Sequence, residues 1–420
     1  MIVQKFGGTS VAKEYNREAA VKRVQEALEG GFKPVVVVSA MGRLGEPYAT
    51  DTLKSLVENI NPRASLRDLD LLMSCGEIIA AVVMAATLHR DGIKAAAYTG
   101  FQAGLITDGL YGQAQVVTCS AERLRQCLAE DTVPVVAGFQ GATPDGEINT
   151  LGRGGSDTTA VILGAALQAA HVEIYTDVNG IATADPRLLK EARVISRLTY
   201  SEVCQLAYEG AKVIHPAAVE VAMKYNVTVV VRSLMEDGPG TLINMTGTPG
   251  GGFTVQPRHV VTGIAHAADI VQIRIDFEEP DAALEATLFE NLAEAGISID
   301  LISVFPHQKY FTIKEEMLPR AAAVLQGAGV NFRVEKECAK VSVVGLGMRG
   351  IPGVMARVVR ALEEKGIAIL QTADSNISIS MLIRRADLAA AVKTLHDHFA
   401  LGMVDDSYQR SGTATFTPPV

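Results

Sequence analysis

Along the first 235 residues, short apolar runs alternate with longer stretches of helical spacing. Ile2–Phe6, Pro34–Ser39, Val133–Ala137, Val172–Thr176 and Val227–Val231 are too short for helices and rich in β-branched residues. Ile2–Phe6 is a strand candidate, and the continuous apolar run at 34–39, a pattern the later three repeat, predicts strands buried on both faces. Strand–helix alternation then predicts an α/β domain: a mostly parallel sheet with helices on both sides, a three-layer sandwich. The longest apolar run, residues 78–86, falls well short of the ~20 residues a membrane helix needs and reads as a buried helix.

The pattern changes after a Gly/Pro/Thr-rich stretch that includes Gly238-Pro-Gly-Thr and TGTPGGG at 246–252. Beyond it the chain repeats at an offset of 70 residues: LFENLAEAGISID (288–300) aligns with VVRALEEKGIAIL (358–370). Upstream, IVQIRI aligns with KVSVVG; downstream, KYFTI aligns with ISISMLI. Each copy reads strand, helix, strand, strand, helix, the ferredoxin-like α+β plan. The expected boundaries are 1–235 for the first domain, 236–258 for a linker, 259–335 and 336–405 for the two copies, and 406–420 for a tail. A tandem pair of this kind either binds a ligand at its shared interface or serves as an oligomerisation scaffold.

Composition narrows the classes. The 48% hydrophobic and 20% charged content is that of a soluble globular chain. A net charge of -9 argues against nucleic acid and anionic membranes, which require clustered cations. An anionic substrate would have to be met by local cations. Five scattered cysteines without a CxxC pair read as reduced thiols. No basic and apolar leader precedes MIVQKFGGTS, so a cytoplasmic location is expected.

The chemistry gathers at strand ends. Lys5-Phe6-Gly7-Gly8-Thr9-Ser10 follows the first strand, where small residues let backbone N–H groups approach a phosphate and the lysine adds a point charge. A tight turn with an incidental lysine is the alternative. Ser39, Thr50 and Asp51 lie in the loop after the second strand, where α/β folds place ligands. Cys75-Gly-Glu77 is read as opening a helix, so Glu77 either holds a cationic group or only stabilises that helix's first turn. TLGRGGSDTTA (150–160) is a glycine turn leading into a helix, with Arg153 and Asp157 but no lysine. Thr176 and Asp177 end another strand, DPR closes the following turn, and GAKVIHP brings Lys212 and a histidine, His215, read as packed and neutral. The cations Lys5, Arg153, Arg187 and Lys212 on strand-end turns imply a polyphosphate.

Several chemistries are excluded at motif level. There is no GxxxxGK[ST], no GxGxxG after the first strand, no zinc-ligand spacing and no Ser/His/Asp nucleophile set. No metal ligand is assigned. The lack of a histidine base fits an acceptor that is already anionic. A carboxylate needs no proton removed, and catalysis reduces to positioning two anions and cancelling their repulsion.

KFGGTS, VVVVSAMG, SCGE, GFQG, TLGRGGSDTTA, IYTDVNGIATADPR and GAKVIHP, in this order, resemble the aspartokinase family, of amino-acid-kinase fold. The tandem repeat resembles that family's paired ACT domains, with GMRGIPGV in the second copy. The resemblance implies phosphorylation of the L-aspartate side-chain carboxylate by ATP with Mg²⁺, the ion held mainly by the nucleotide. It implies that Lys5, Arg153 and Asp157 are catalytic. Ser39, Thr50, Asp51, Glu77, Arg153, Gly154, Gly155, Ser156 and Asp157 would hold aspartate. Lys5, Phe6, Gly7, Gly8, Ser156, Thr176, Asp177, Ala182, Thr183, Asp185, Arg187 and Lys212 would hold the nucleotide. It also implies feedback by an amino acid at the ACT domains and a homodimer or larger homo-oligomer.

Two departures stand out. Ala182 replaces a tyrosine frequent in the family, which implies a looser or differently held adenine. FEEPDAALEATL in the first copy lacks the usual D-x-P-G turn, which implies an altered effector pocket. IAILQTADSNISISMLI and the GRLGEPYATD loop resemble the diaminopimelate-sensitive type, so lysine or meso-diaminopimelate is the expected effector. The alternatives are another amino-acid kinase, such as glutamate kinase, and a silent amino-acid sensor. The tandem repeat argues against the first, and the intact Lys5, Arg153 and Asp157 against the second.

Overall fold

The computed structural model describes residues 1–246, 260–279, 282–346, 348 and 351–403. Part of the expected linker, the Pro280-Asp281 turn of FEEPD, part of GMRGIPGV and the tail lie outside the described residues. The chain divides into two compact units, residues 1–181 with 194–257, and residues 182–193 with 258–420.

In chain order the first unit contains β1 (Ile2–Phe6), α1 (Gly8–Ala12), α2 (Glu14–Glu29), β2 (Pro34–Val38), α3 (Thr50–Glu58) and α4 (Leu66–Arg90). These are followed by β3 (Ala95–Tyr98), β4 (Leu105–Thr107), β5 (Val116–Cys119), α5 (Glu122–Ala129), β6 (Val133–Ala137), β7 (Gln140–Ala142) and β8 (Ile148–Thr150). It ends with α6 (Gly155–Leu167), β9 (Val172–Thr176), β10 (Arg197–Thr199), α7 (Tyr200–Tyr208), α8 (Pro216–Tyr225), β11 (Val229–Ser233) and β12 (Thr241–Asn244). Eight strands form one sheet in the order β10-β12-β11-β9-β1-β2-β6-β3. Every neighbouring pair is parallel except β11 with β12. The four short strands β4, β5, β7 and β8 make a second, smaller sheet.

The apolar runs behave as their pattern requires. Every residue of β2 and of β6 is buried. Side chains alternate across a strand, so Phe6, Val36, Val38, Val133, Val135 and Ala137 share a core with α2 and α4. Lys5 points the other way, toward the side where α6 packs on β1. Because β1 is central, its C-terminal end meets the ends of β2 and β9 on either side, and the glycine turns that follow converge there. The parallel ladder runs two residues later than the sequence pattern placed it at β11, which spans 229–233 rather than 227–231.

Helix α4 corrects one expectation. SCGE does not open a helix; it sits inside a 25-residue one. Among the described residues α4 is the one helix long and apolar enough to cross a bilayer, but 56% of its apolar window is buried inside the fold. The strands pack against it through Ala80, Ala81, Met84, Ala85 and Leu88, which makes it a core helix.

The second unit carries β13 (Gly263–Asp276), α9 (Ala282–Glu294), β14 (Asp300–Val304), β15 (Gln308–Lys314) and α10 (Leu318–Gly327). The repeat follows as β16 (Asn331–Val344), α11 (Val354–Glu363), β17 (Gln371–Asp374), β18 (Ser378–Arg384) and α12 (Leu388–His398). One six-stranded sheet runs β14-β15-β13-β16-β18-β17. The two 14-residue strands are shared: 270–276 of β13 pairs with β15, while 338–344 of β16 pairs with β18. β13 and β16 also pair with each other over most of their length, with bulges near Ala267 and Ile270. The boundary expected at 335/336 therefore falls inside β16.

Candidate active site

A cavity of about 630 Å³ opens in the first unit. Lys5, Ser39, Thr50, Asp51, Glu77, Arg153, Gly154, Gly155, Ser156 and Asp157 all line it. These are Lys5 and the whole set expected around aspartate, brought together from β1, the β2–α3 loop, α3, α4, the β8–α6 turn and α6.

The TLGRGG turn folds through two glycines in the left-handed region, Gly152 (φ 69°) and Gly154 (φ 75°). A Cβ on Gly154 would lie 2.2 Å from Cγ of His215, so only glycine fits under that ring. His215 Nδ1 accepts from Ala217 N–H at 3.4 Å and caps α8, so the ring is packed between that helix and the TLGRGG turn. Gly155 then starts α6, placing Ser156 and Asp157 in its first turn. In the turn after β1, Gly8 also requires its missing side chain, since a Cβ there would sit 2.4 Å from the Ala40 carbonyl.

Asp157 Oδ1 lies 2.7 Å from Lys5 Nζ, both side chains largely covered. The contact is ionic, without hydrogen-bond alignment. Glu77 is 2% exposed. Its Oε1 accepts from Ala40 N–H at 3.2 Å and from the Thr50 hydroxyl at 3.4 Å. Among the described residues its Oε2 has no hydrogen-bond partner. Burial outweighs these hydrogen bonds and pushes the Glu77 carboxyl up to about 8. Its place mid-helix removes the alternative of a first-turn carboxylate. The wall thus offers one neutralised carboxylate, one half-satisfied carboxyl, and the guanidinium of Arg153.

The residues expected around the nucleotide are dispersed. Phe6 is fully buried and stacks on Tyr175 at 5.0 Å, so only its backbone faces the turn. Thr176 and Asp177 end β9, where the Thr176 hydroxyl donates to Asp177 at 3.2 Å and exposed Arg43 stands 3.6 Å from Asp177. Gly7, Gly8, Thr176, Asp177 and Lys212 belong to the first unit but do not line the cavity. Ala182, Thr183, Asp185 and Arg187 belong to the second unit. There Thr183 is buried, with its hydroxyl 2.9 Å from His396 Nε2 on α12 and accepting from Arg193 N–H at 3.0 Å. Asp185 is clasped by Arg187, which holds its carboxyl below the usual range. Of the four cations read as one crevice, Lys5 and Arg153 line the cavity, and Arg187 and Lys212 do not.

Sequence reasoning missed Lys54, Asp70, Met73, Tyr111 and Gln113 in the cavity wall. Lys54 and Asp70 had a helical-face signal: Lys54 follows Asp51 by three residues, and Asp70 precedes Glu77 by seven.

The amino acid kinase family matches residues 1–233, and an ACT domain matches residues 333–397. Aspartokinase 1 of Bacillus subtilis (strain 168) is 45% identical over 96% of this chain and 99% of its own. The chain is an aspartokinase. Among solved structures, E. coli aspartokinase III in complex with aspartate and ADP (R-state) covers 95% of this chain and 99% of its own at 25% identity, with a TM-score of 0.72. The same enzyme in complex with lysine and aspartate (T-state) covers the same shares at 25% identity and a TM-score of 0.77. The aspartokinase activity is therefore transfer of the ATP γ-phosphoryl group to the side-chain carboxylate of L-aspartate, in a chain equipped with ACT domains for allosteric control.

Proposed function

We propose that the 630 Å³ cavity is the aspartate end of the active site. The observation that carries this reading is the convergence on one wall of Arg153, the unpartnered Glu77 Oε2 and the Lys5–Asp157 pair. Arg153 suits the substrate α-carboxylate, which it can grip with two parallel N–H bonds. Glu77 and Asp157 suit the ammonium, and Glu77 is the better poised because Asp157 already faces Lys5. Ser39, Thr50, Asp51 and Ser156 supply polar contacts, and Gly154 and Gly155 let the substrate lie close to the backbone.

The substrate's side-chain carboxylate oxygen attacks the γ-phosphorus, a P–O bond forms, the bond to the β-phosphate oxygen breaks, and ADP leaves. No proton moves, so the residues act by alignment and charge. Lys5, with backbone N–H groups at Phe6, Gly7 and Gly8, would meet the transferring phosphoryl group. Mg²⁺ would enter on the triphosphate and offset its charge. Thr176, Asp177, Thr183, Asp185, Arg187 and Lys212 are the candidate nucleotide residues, with Ala182 leaving the adenine without a stacking ring.

The second unit would bind the feedback amino acid, lysine or meso-diaminopimelate, and the protein would act in the cytoplasm as a homodimer or larger homo-oligomer. The domain limits expected from sequence remain our assignment for the kinase domain, linker and ACT pair. A hydroxamate assay with MgATP tests the site: Arg153→Ala and Glu77→Gln should each lose affinity for aspartate selectively. Wild-type affinity for aspartate in both would remove the assignment.

A further inference from the structure

Asp70 is 1% exposed and lines the cavity, yet nothing in the phosphoryl-transfer chemistry calls for a fourth carboxylate there, beside Asp51, Glu77 and Asp157. It lies on α4 seven residues before Glu77, two helical turns away and so on the same face. Its bonds go to two separate turns. Oδ2 accepts from Gly112 N–H at 2.8 Å and from Thr150 N–H at 2.9 Å. Oδ1 accepts from the Thr150 hydroxyl at 2.6 Å. The two turns also lean on each other: Ala114 N–H donates to the Thr150 carbonyl at 2.9 Å, and a Cβ on Gly152 would meet the Gly112 carbonyl at 3.4 Å. Three residues beyond Thr150 comes Arg153.

We propose that Asp70 is a positioning residue for aspartate binding: it ties the Gly112 turn and the TLGRGG turn to α4, and so fixes Arg153 relative to Glu77. The proposal rests on the reading of this cavity as the aspartate site. The two groups that would grip opposite charges of the substrate belong to elements far apart in sequence, α4 and the β8–α6 turn. The Asp70 carboxylate is the direct bond between those elements. All three partners donate to the carboxylate. An alanine would leave two backbone N–H groups and the Thr150 hydroxyl without their acceptor. The turn does not depend on Asp70 for its existence, since Leu151 N–H donates to the Phe139 carbonyl at 2.8 Å and Gly155 N–H to the Gly152 carbonyl at 3.1 Å. Its placement against α4 does.

The test is the steady-state kinetics of Asp70→Ala, Thr150→Val and Thr150→Ser in the full chain, with KM for aspartate and for ATP measured separately. Asp70→Ala should raise the aspartate KM by about tenfold or more, as expected when a binding group is displaced, with the ATP KM changed by less than about threefold. Thr150→Val should show a smaller rise of the same kind, and Thr150→Ser, which keeps the hydroxyl, should recover most of it. An unchanged aspartate KM in Asp70→Ala, a parallel rise of both KM values, or Thr150→Ser as impaired as Thr150→Val would each overturn the proposal. Should Asp70→Ala fail to fold, the Thr150 pair decides by the same criteria. Arg153→Ala separates this proposal from the site reading beneath it. If Arg153→Ala leaves the aspartate KM unchanged, the site reading fails. If it raises that KM and Asp70→Ala does not, Asp70 alone is misassigned.

Discussion

Glu77 gives the sharpest quantitative expectation. Burial holds its carboxyl at about 8, against 4.5 for an open glutamate. At pH 7 a group with that value is about nine-tenths protonated. A substrate ammonium arriving at the bare Oε2 favours the ionised form, so aspartate binding should expel close to one proton at pH 7 and progressively less as the pH rises past 8. Calorimetric titration of aspartate in Tris and in PIPES at pH 7 measures this, because the released proton carries the buffer's ionisation enthalpy into the signal. The same shift has a stability consequence. Between about pH 4.5 and 8 the folded state holds a proton that the unfolded state has lost, so stability falls as pH rises through that window. The full effect is on the order of 5 kcal/mol at about 1.4 kcal/mol per unit. Glu77→Gln, neutral and isosteric, should abolish the proton release and flatten that slope. It should also raise the aspartate KM roughly ten- to a hundredfold, for loss of a charged hydrogen bond. Equal binding enthalpies in the two buffers, or proton release surviving in Glu77→Gln, would refute the reasoning.

Other expectations follow from the same wall. Lys5→Ala should lower kcat by about a hundredfold or more with little effect on thermal stability, because the lysine serves charge developing in the transition state; an unchanged kcat in a coupled ADP-release assay would reassign it. Asp157→Asn should mainly raise the KM for aspartate, and a selective rise in the KM for ATP would move Asp157 to the nucleotide side. Gly154→Ala forces a side chain onto a left-handed backbone and into the His215 ring, and should cost about 2 kcal/mol or more; urea denaturation showing wild-type stability would contradict that packing.

The lining of the cavity was legible because much of it sits in compact motifs at strand ends. Lys5 and Asp157 are 152 residues apart, yet each lies at the C-terminal end of β1 or just past a glycine turn, and the parallel topology brings such ends together. Asp70 was illegible for the opposite reason. Its partners are backbone N–H groups 42 and 80 residues away, and backbone donors leave no mark in a sequence. The mid-helix place of Glu77 was hidden because Gly76 looked like a helix opener. It is instead a close approach, where a Cβ would lie 2.9 Å from the Ala40 side chain. In the second unit the repeat revealed the order of elements, but strand periodicity cannot say which half of a 14-residue strand pairs with which neighbour. The shared use of β13 and β16 was therefore outside its reach. Nor could it show that residues 182–193, inside the stretch matching the amino acid kinase family, pack with the ACT pair through Ala184, Leu189 and the Thr183–His396 hydrogen bond.

The central claim is that the Arg153 wall grips aspartate rather than the nucleotide. The direct measurement is the pair of KM values for Arg153→Ala in the hydroxamate assay. The account predicts a rise of about a hundredfold in the aspartate KM with the ATP KM near wild type, as for loss of a bidentate charged contact. A rise confined to the ATP KM would contradict it.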